Sequence, residues 1–226
     1  MNPMKKAVLF DFDMTLIDSS HGVTFCLNMV AERFGLEKVE RPEVLKTIGY
    51  PMEEAMEMLW GAFDPSWTNH YRDYLVPFEY ERLAPFAGVR ETLEKLRAND
   101  VVMAVVSNRR RLLPALAGAG LEDFFSMAVG MEDVSAPKPD PEAINLVLDR
   151  LDVSRERAFF VGDSEIDAIA ARNAGVRFIG ITTGGRSASV LLEEGAFAVL
   201  EDMSKILRVV CPGFCDVPLA QDRGVL

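Results

Sequence analysis

Two carboxylates, Asp11 and Asp13, stand one residue apart in Asp11-Phe12-Asp13-Met14-Thr15, directly after the apolar run Ala7-Val8-Leu9-Phe10. At that spacing one carboxylate can attack a substrate while the other manages protons, and a divalent cation can sit between them. An Asp can act as a nucleophile toward phosphorus and form an aspartyl-phosphate. Its approach to an anionic phosphoryl group calls for a cation, and hard oxygen ligands select Mg²⁺. The competing account of these five residues is an acidic turn after a strand.

Three further groups downstream favour chemistry. In Asp163-Ser164-Glu165-Ile166-Asp167, Asp163 falls in a loop and Asp167 one helical turn on. Asp163 could share an ion with Asp11, and the main-chain carbonyl of Asp13 could add a ligand. Alternatively, Asp163 or Ser164 caps the helix that follows. Lys138 stands between Pro137 and Pro139, which stiffen its backbone, so it is suited to pair with Asp11 and a phosphate. Ser107 and Asn108 end one apolar run and open a helix, where they could donate to phosphate oxygens or simply cap. Arg109-Arg110-Arg111 follow in the first helical turn, where cations oppose the helix dipole; they read as surface arginines.

These groups meet only if the elements that carry them line up. Apolar runs recur at Val101–Val106, Met127–Val129, 158–161, 176–181 and 196–200, and each is followed by a polar residue or glycine. Helical periodicity falls between them: Val89, Leu93 and Leu96; Leu112 to Leu116; Ile144, Val147, Leu148 and Leu151, with Pro141 as the first helical residue; and Ile166 to Ala174, stopped by Gly175. Strands alternating with helices predict an α/β fold with a parallel sheet and right-handed crossovers. All strand C-termini then share one edge, which brings Asp11, Ser107, Lys138 and Asp163 together.

Residues 17 to 85 are surplus to that alternation and read as all helical. Val23, Leu27, Val30, Ala31 and Phe34 form one stripe, with Ser19 or Ser20 as its cap and Gly35 as its stop. Pro51 opens a second helix, and Tyr71, Tyr74, Leu75 and Phe78 form a third stripe. All 4 tyrosines and both tryptophans of the chain lie here. The insert is expected to be a small bundle and also a lid, hinged near Leu16-Ile17 and Leu83-Ala84-Pro85. The loop Thr47-Ile48-Gly49-Tyr50-Pro51 would touch the substrate, and Gly49 would permit close approach.

Composition narrows the partners. The chain has 226 residues, 49% of them hydrophobic, and its 24 Lys and Arg against 35 Asp and Glu give a net charge of −11. Such a balance offers no electrostatic footprint for nucleic acid or an anionic membrane. No apolar stretch has the length of a membrane span, and Val8 to Phe10 runs into Asp11 too soon for a signal peptide, so a cytoplasmic protein is expected. Cys26, Cys211 and Cys215 are too few and too scattered for a disulfide framework and read as free thiols. The stretch from Cys211 to Leu226 lacks periodicity and reads as a loose end.

Taken jointly, Asp11-Phe12-Asp13-Met14-Thr15, Ser107-Asn108, Lys138-Pro139 and Gly162-Asp163-Ser164-Glu165-Ile166-Asp167 resemble the motifs of the haloacid dehalogenase superfamily. The resemblance runs to about Leu207. The insert looks like the family's C1-type helical cap. Pro85-Phe86-Ala87-Gly88-Val89 looks like the return to the core in the phosphoglycolate phosphatase-like branch. The resemblance implies a Rossmann-like core of residues 1–16 and 86–226 with a helical cap of residues 17–85. It implies Asp11 as nucleophile and Asp13 as general acid and base. Thr15, Ser107, Asn108 and Lys138 would lie at the phosphoryl group, Mg²⁺ on Asp11, Asp13 and Asp163, and Asp167 would steady those ligands and the lysine. Asp13 argues against true dehalogenases and phosphonate hydrolases, which lack an acid there. Met14 departs from relatives, which mostly carry Gly at that position.

The expected activity is hydrolysis of a small soluble phosphomonoester such as phosphoglycolate, by a monomer or homodimer. Pyrophosphate, a sugar phosphate or a nucleotide stay open as substrates, and a phosphomutase is the nearest enzymatic rival. A non-catalytic phosphate-binding protein would have lost one of the acids, and none is missing. A phospho-acceptor signalling module would need neither the lid nor the second Asp.

Overall fold

The computed structural model describes residues 5–211; the expectation for the end of the chain beyond Cys211, Cys215 included, lies outside the described residues. Its centre is a six-stranded sheet made of β1 (Lys6–Phe10), β4 (Val101–Val106), β5 (Met127–Val129), β6 (Ala158–Gly162), β7 (Arg177–Ile181) and β8 (Ala198–Leu200). All neighbours are parallel, in the order β5-β4-β1-β6-β7-β8. The α/β expectation holds. β1 is central because its residues are apolar on both faces: Val8 and Phe10 join one core layer, Ala7 and Leu9 the other. Helices Val89–Ala98, Leu112–Gly118 and Ile206–Val210 cover the first face; Glu142–Leu151 and Glu165–Ala174 cover the second.

From β1 the chain builds outward through β4 and β5 on one side, then returns to build β6, β7 and β8 on the other. β1 is therefore the switch point, where open α/β sheets leave a crevice beyond their strand ends. Phe10 pairs with both Val105 and Val161, so Asp11, Ser107 and Asp163 emerge side by side.

The insert leaves and re-enters the core through a short antiparallel pair, β2 (Ile17–Asp18) with β3 (Ala84–Pro85). Between them run the helices Ser20–Phe34, Arg41–Val44, Met52–Trp60, Pro65–His70 and Val76–Tyr80, with a π-helical turn at Tyr71–Leu75. Cys26, Leu27, Val30, Val44, Met56, Tyr71 and Leu75 form its own core.

Three local expectations are corrected. Ser19 does hold the N-cap position of the first helix, but its side chain makes no capping bond; instead Asp18 Oδ1 accepts from the Ser20 amide at 3.1 Å and the Ser20 hydroxyl at 2.5 Å. Pro141 precedes its helix, which starts at Glu142. The third stripe is split, because the π-helical turn resets the register. Tyr71, Leu75 and Glu79 are buried, whereas Tyr74 and Phe78 are 65% and 40% exposed.

Candidate active site

Each motif occupies the C-terminal edge of a strand. The Asp11 amide donates to Val161 of β6 at 2.8 Å, which continues the ladder one residue past β1 and fixes that side chain at the crevice. The chain then turns tightly: Leu16 and Ile17 both donate to the Phe12 carbonyl, and Met14 donates to Ile17. Met14 sits in this turn at φ 60°, the left-handed region. That geometry is where Gly carries no steric cost and an L side chain does.

Lys138 is buried between two acids. Its Nζ donates to Asp11 Oδ1 and Asp167 Oδ1, both at 2.6 Å, and to the Val106 carbonyl at 3.2 Å, which uses all three of its protons. Burial works to lower its pKa, but Asp11 and Asp167 outweigh that and raise it. Asn108 aims the lysine loop, since its amide donates to the Lys138 carbonyl at 2.9 Å and its Oδ1 accepts from the Lys138 amide at 2.8 Å. The same side chain reaches the insert, at the Gly49 carbonyl, 3.4 Å away. The Ser107 hydroxyl accepts from the Arg109 amide at 3.2 Å.

Ser164 settles the capping question. Its hydroxyl accepts from the Asp167 amide and donates to Asp167 Oδ2, a reciprocal cap that leaves Asp163 free to face the crevice. The Thr15 hydroxyl is committed to Asp163 Oδ1 at 3.0 Å. Asp11, Asp163 and Asp167 each offer a carboxylate oxygen within 4.8 Å of the others, and all three are buried. Burial pushes Asp11 up to about 7 against the pull of Lys138, with Asp167 and Asp13 adding to the rise. Asp163 is raised well above its usual range by burial first, then by Asp167 and Asp11. Three acids against one lysine, with hard oxygen donors only, fit a Mg²⁺-like cation.

Asp13 has a partner that the sequence reading did not assign. Arg109 Nε donates to its Oδ2 at 2.9 Å and Nη2 to its Oδ1 at 2.6 Å. The third guanidinium nitrogen, Nη1, holds Glu79 of the insert, whose Oε2 accepts from the Tyr71 hydroxyl at 2.6 Å. The expectation that Arg109 is a surface arginine is thus wrong: its side chain is 11% exposed, and two carboxylates offset the cost of burying it. Burial works to raise Asp13, but Arg109 overrides this and holds the carboxyl below its usual value. Arg110 and Arg111 do remain exposed.

Gly184 was also missed. A Cβ there would lie 1.7 Å from Asp163 Oδ2, so only Gly allows the turn after β7 to close over that carboxylate. The Thr183-Gly184-Gly185 cluster at a strand end was the available signal. Glu79 left none, being one acid in an aromatic helix.

A pocket of about 270 Å³ joins Asp11, Asp13, Lys138 and Asp163 to the insert's Ile48, Gly49, Tyr50 and Glu79. The model of the haloacid dehalogenase-like hydrolases matches residues 8–181. The chain belongs to that family. It is 30% identical over 215 residues to a phosphoglycolate phosphatase of Pectobacterium atrosepticum, covering 91% of this chain and 92% of that one. It is 29% identical over 205 residues to the pyrophosphatase PpaX of Bacillus velezensis, covering 90% and 95%. Among solved structures, a haloacid dehalogenase-like chain from Bacteroides fragilis superposes with a TM-score of 0.83 at 31% identity, covering 89% of this chain and 99% of that one. The insert is thus the cap of a family member. Among the described residues no helix is long and apolar enough to cross a membrane.

Proposed function

We propose that this hydrolase is a Mg²⁺-dependent phosphatase acting on a small soluble phosphomonoester through an aspartyl-phosphate on Asp11. The observation that carries the reading is Lys138 bridging Asp11 and Asp167 beside Asp163, at the strand edge where an anion would enter. Asp11 and Asp163 would hold Mg²⁺ with the Asp13 main-chain carbonyl, and Asp167 would keep Lys138 and its neighbours in place. When bound, the ion would neutralise charge on the phosphoryl oxygens.

The Asp11 carboxylate attacks phosphorus and the ester P–O bond breaks. Asp13 gives its proton to the departing alkoxide. In the second half Asp13 takes a proton from water, the water oxygen attacks the same phosphorus, and the bond to Asp11 breaks to release inorganic phosphate. Lys138 balances the charge of Asp11 between turnovers, Ser107 adds a donor to the phosphoryl oxygens, and Asn108 holds the lysine loop. Thr15 acts through Asp163, to which it is bonded, rather than directly on phosphate. The cap, residues 17–85, closes the pocket and excludes water, with Gly49 and Tyr50 contacting the alcohol.

The two relatives differ in substrate, so phosphoglycolate and pyrophosphate both belong in the test. A panel of phosphate esters and pyrophosphate assayed with Mg²⁺ should show turnover that stops with excess chelator. Asp11→Asn should fold normally and lose essentially all turnover, about a thousandfold or more. Near-normal activity in that variant contradicts the mechanism.

A further inference from the structure

Resting on that reading, we propose that the cap end of the pocket selects phosphomonoesters of uncharged alcohols over those whose leaving group carries a second anion, and that Glu79 sets this preference. The cap contributes Val23, Leu27, Ile48, Met52 and Val76 to the cavity lining, together with the Arg72 guanidinium, and the core places the largely buried Arg109 guanidinium beside them. A carboxylate or second phosphate on the leaving group would need one of these cations to have charge to spare. Neither has. Arg72 is paired with Glu53. Arg109 is shared between Asp13 and Glu79.

Glu79 is seated from two sides. Its second oxygen accepts from the buried Tyr71 hydroxyl at 2.6 Å. Its helix packs at Gly22, where a Cβ would stand 2.9 Å from the Glu79 carbonyl. Arg109, held by both Asp13 and Glu79, therefore leaves no net positive charge at this part of the pocket. An uncharged alcohol meets no repulsion there. A carboxylate in the same place would meet the Glu79 carboxylate in a dry site, where like charges repel strongly. Arg110 and Arg111 also line the pocket, but they are exposed and screened.

The test is a matched pair of esters, 2-hydroxyethyl phosphate and phosphoglycolate, which differ by a neutral CH₂OH against a carboxylate. With Mg²⁺, kcat/KM for the neutral ester should exceed that for phosphoglycolate by about tenfold or more, the scale of one partly screened like-charge contact. Glu79→Gln keeps the shape and removes the charge, so it should shift this ratio toward phosphoglycolate by about tenfold, chiefly through KM. As a check that needs no variant, 2-hydroxyethylphosphonate should inhibit the wild-type enzyme better than phosphonoacetate by a similar factor. A wild-type preference for phosphoglycolate or pyrophosphate, or equal inhibition by the two phosphonates, overturns the inference and leaves the phosphatase reading standing. An unchanged ratio in a folded Glu79→Gln overturns the role of Glu79. Absence of turnover on every ester, para-nitrophenyl phosphate included, defeats the phosphatase reading and the inference with it.

Discussion

Arg109 grips both oxygens of Asp13, at 2.9 and 2.6 Å, while its remaining amino group holds Glu79 of the cap. One guanidinium thus ties the proposed general acid to the cap, in a place where all three side chains are largely out of water. In this state each Asp13 oxygen accepts one bond from Arg109, an arrangement that must loosen before the proposed acid can deliver a proton.

Removing the guanidinium strands two buried carboxylates. Arg109→Met is expected to destabilise the protein by about 3 kcal/mol or more, as breaking one partner of a buried ion pair does. Urea unfolding near neutral pH measures this. A loss below about 1 kcal/mol would mean that water already reaches the pair.

Asp13→Ala should slow hydrolysis of alkyl esters by about a hundred- to ten-thousandfold, the usual worth of acid–base help. Aryl phosphates with good leaving groups need the acid less, so their first step should be relatively spared and phosphoenzyme should accumulate on Asp11. Equal slowing of aryl and alkyl substrates, with no trapped phosphoenzyme, would leave Asp13 as a metal-site residue only.

The acid cluster predicts how Mg²⁺ binding depends on pH. Burial lifts Asp11 from an ordinary 3.8 to about 7, and lifts Asp163 as well. Without metal, the folded chain therefore holds protons that the unfolded chain has lost. That contribution to stability is full below about pH 4 and is lost as pH rises through about 7. Mg²⁺ takes the deprotonated acids, so its binding releases protons and strengthens with pH. The gain in Tm on adding Mg²⁺ should grow between about pH 5 and pH 8, and the apparent Kd should fall. An equal gain at both ends of that range would show that the cluster is already ionised at the lower pH.

Met14 carries two opposed effects, a strained φ of 60° and a side chain that is 1% exposed. Met14→Ala keeps the strain and empties the space, at a cost of about 2–5 kcal/mol. Met14→Gly empties the same space but relieves about 1 kcal/mol of strain. Thermal or urea unfolding should rank Gly above Ala at this position. The reverse order would show that the surrounding turn relaxes around the substituted residue.

Much of the fold was legible in the residues themselves. The apolar runs at 7–10, 101–106 and 158–161 became parallel strands, because a strand covered on both faces has few polar positions. Once the strands alternate with helices, a shared C-terminal edge follows from connectivity, and connectivity alone gathers Asp11, Ser107, Lys138 and Asp163. Local stereochemistry also carried a signal: Gly175, read as a helix stop, ends its helix with φ 69°.

Only the tertiary structure decided who pairs with whom across the crevice. The π-helical turn at Tyr71–Leu75 changed which residues of the third cap stripe face inward, and periodicity assumed a regular helix there. Arg109 meets Asp13 across 96 residues and Glu79 across 30, on elements from different parts of the fold. An arginine in a first helical turn looks the same in sequence whether it faces water or two carboxylates. Its environment depends on the tertiary contact that sets Glu79 of the cap beside the end of β4, which no local pattern encodes. Burial and strand order are properties of short segments and their periodicity; ion pairing in a closed pocket is a property of the closure.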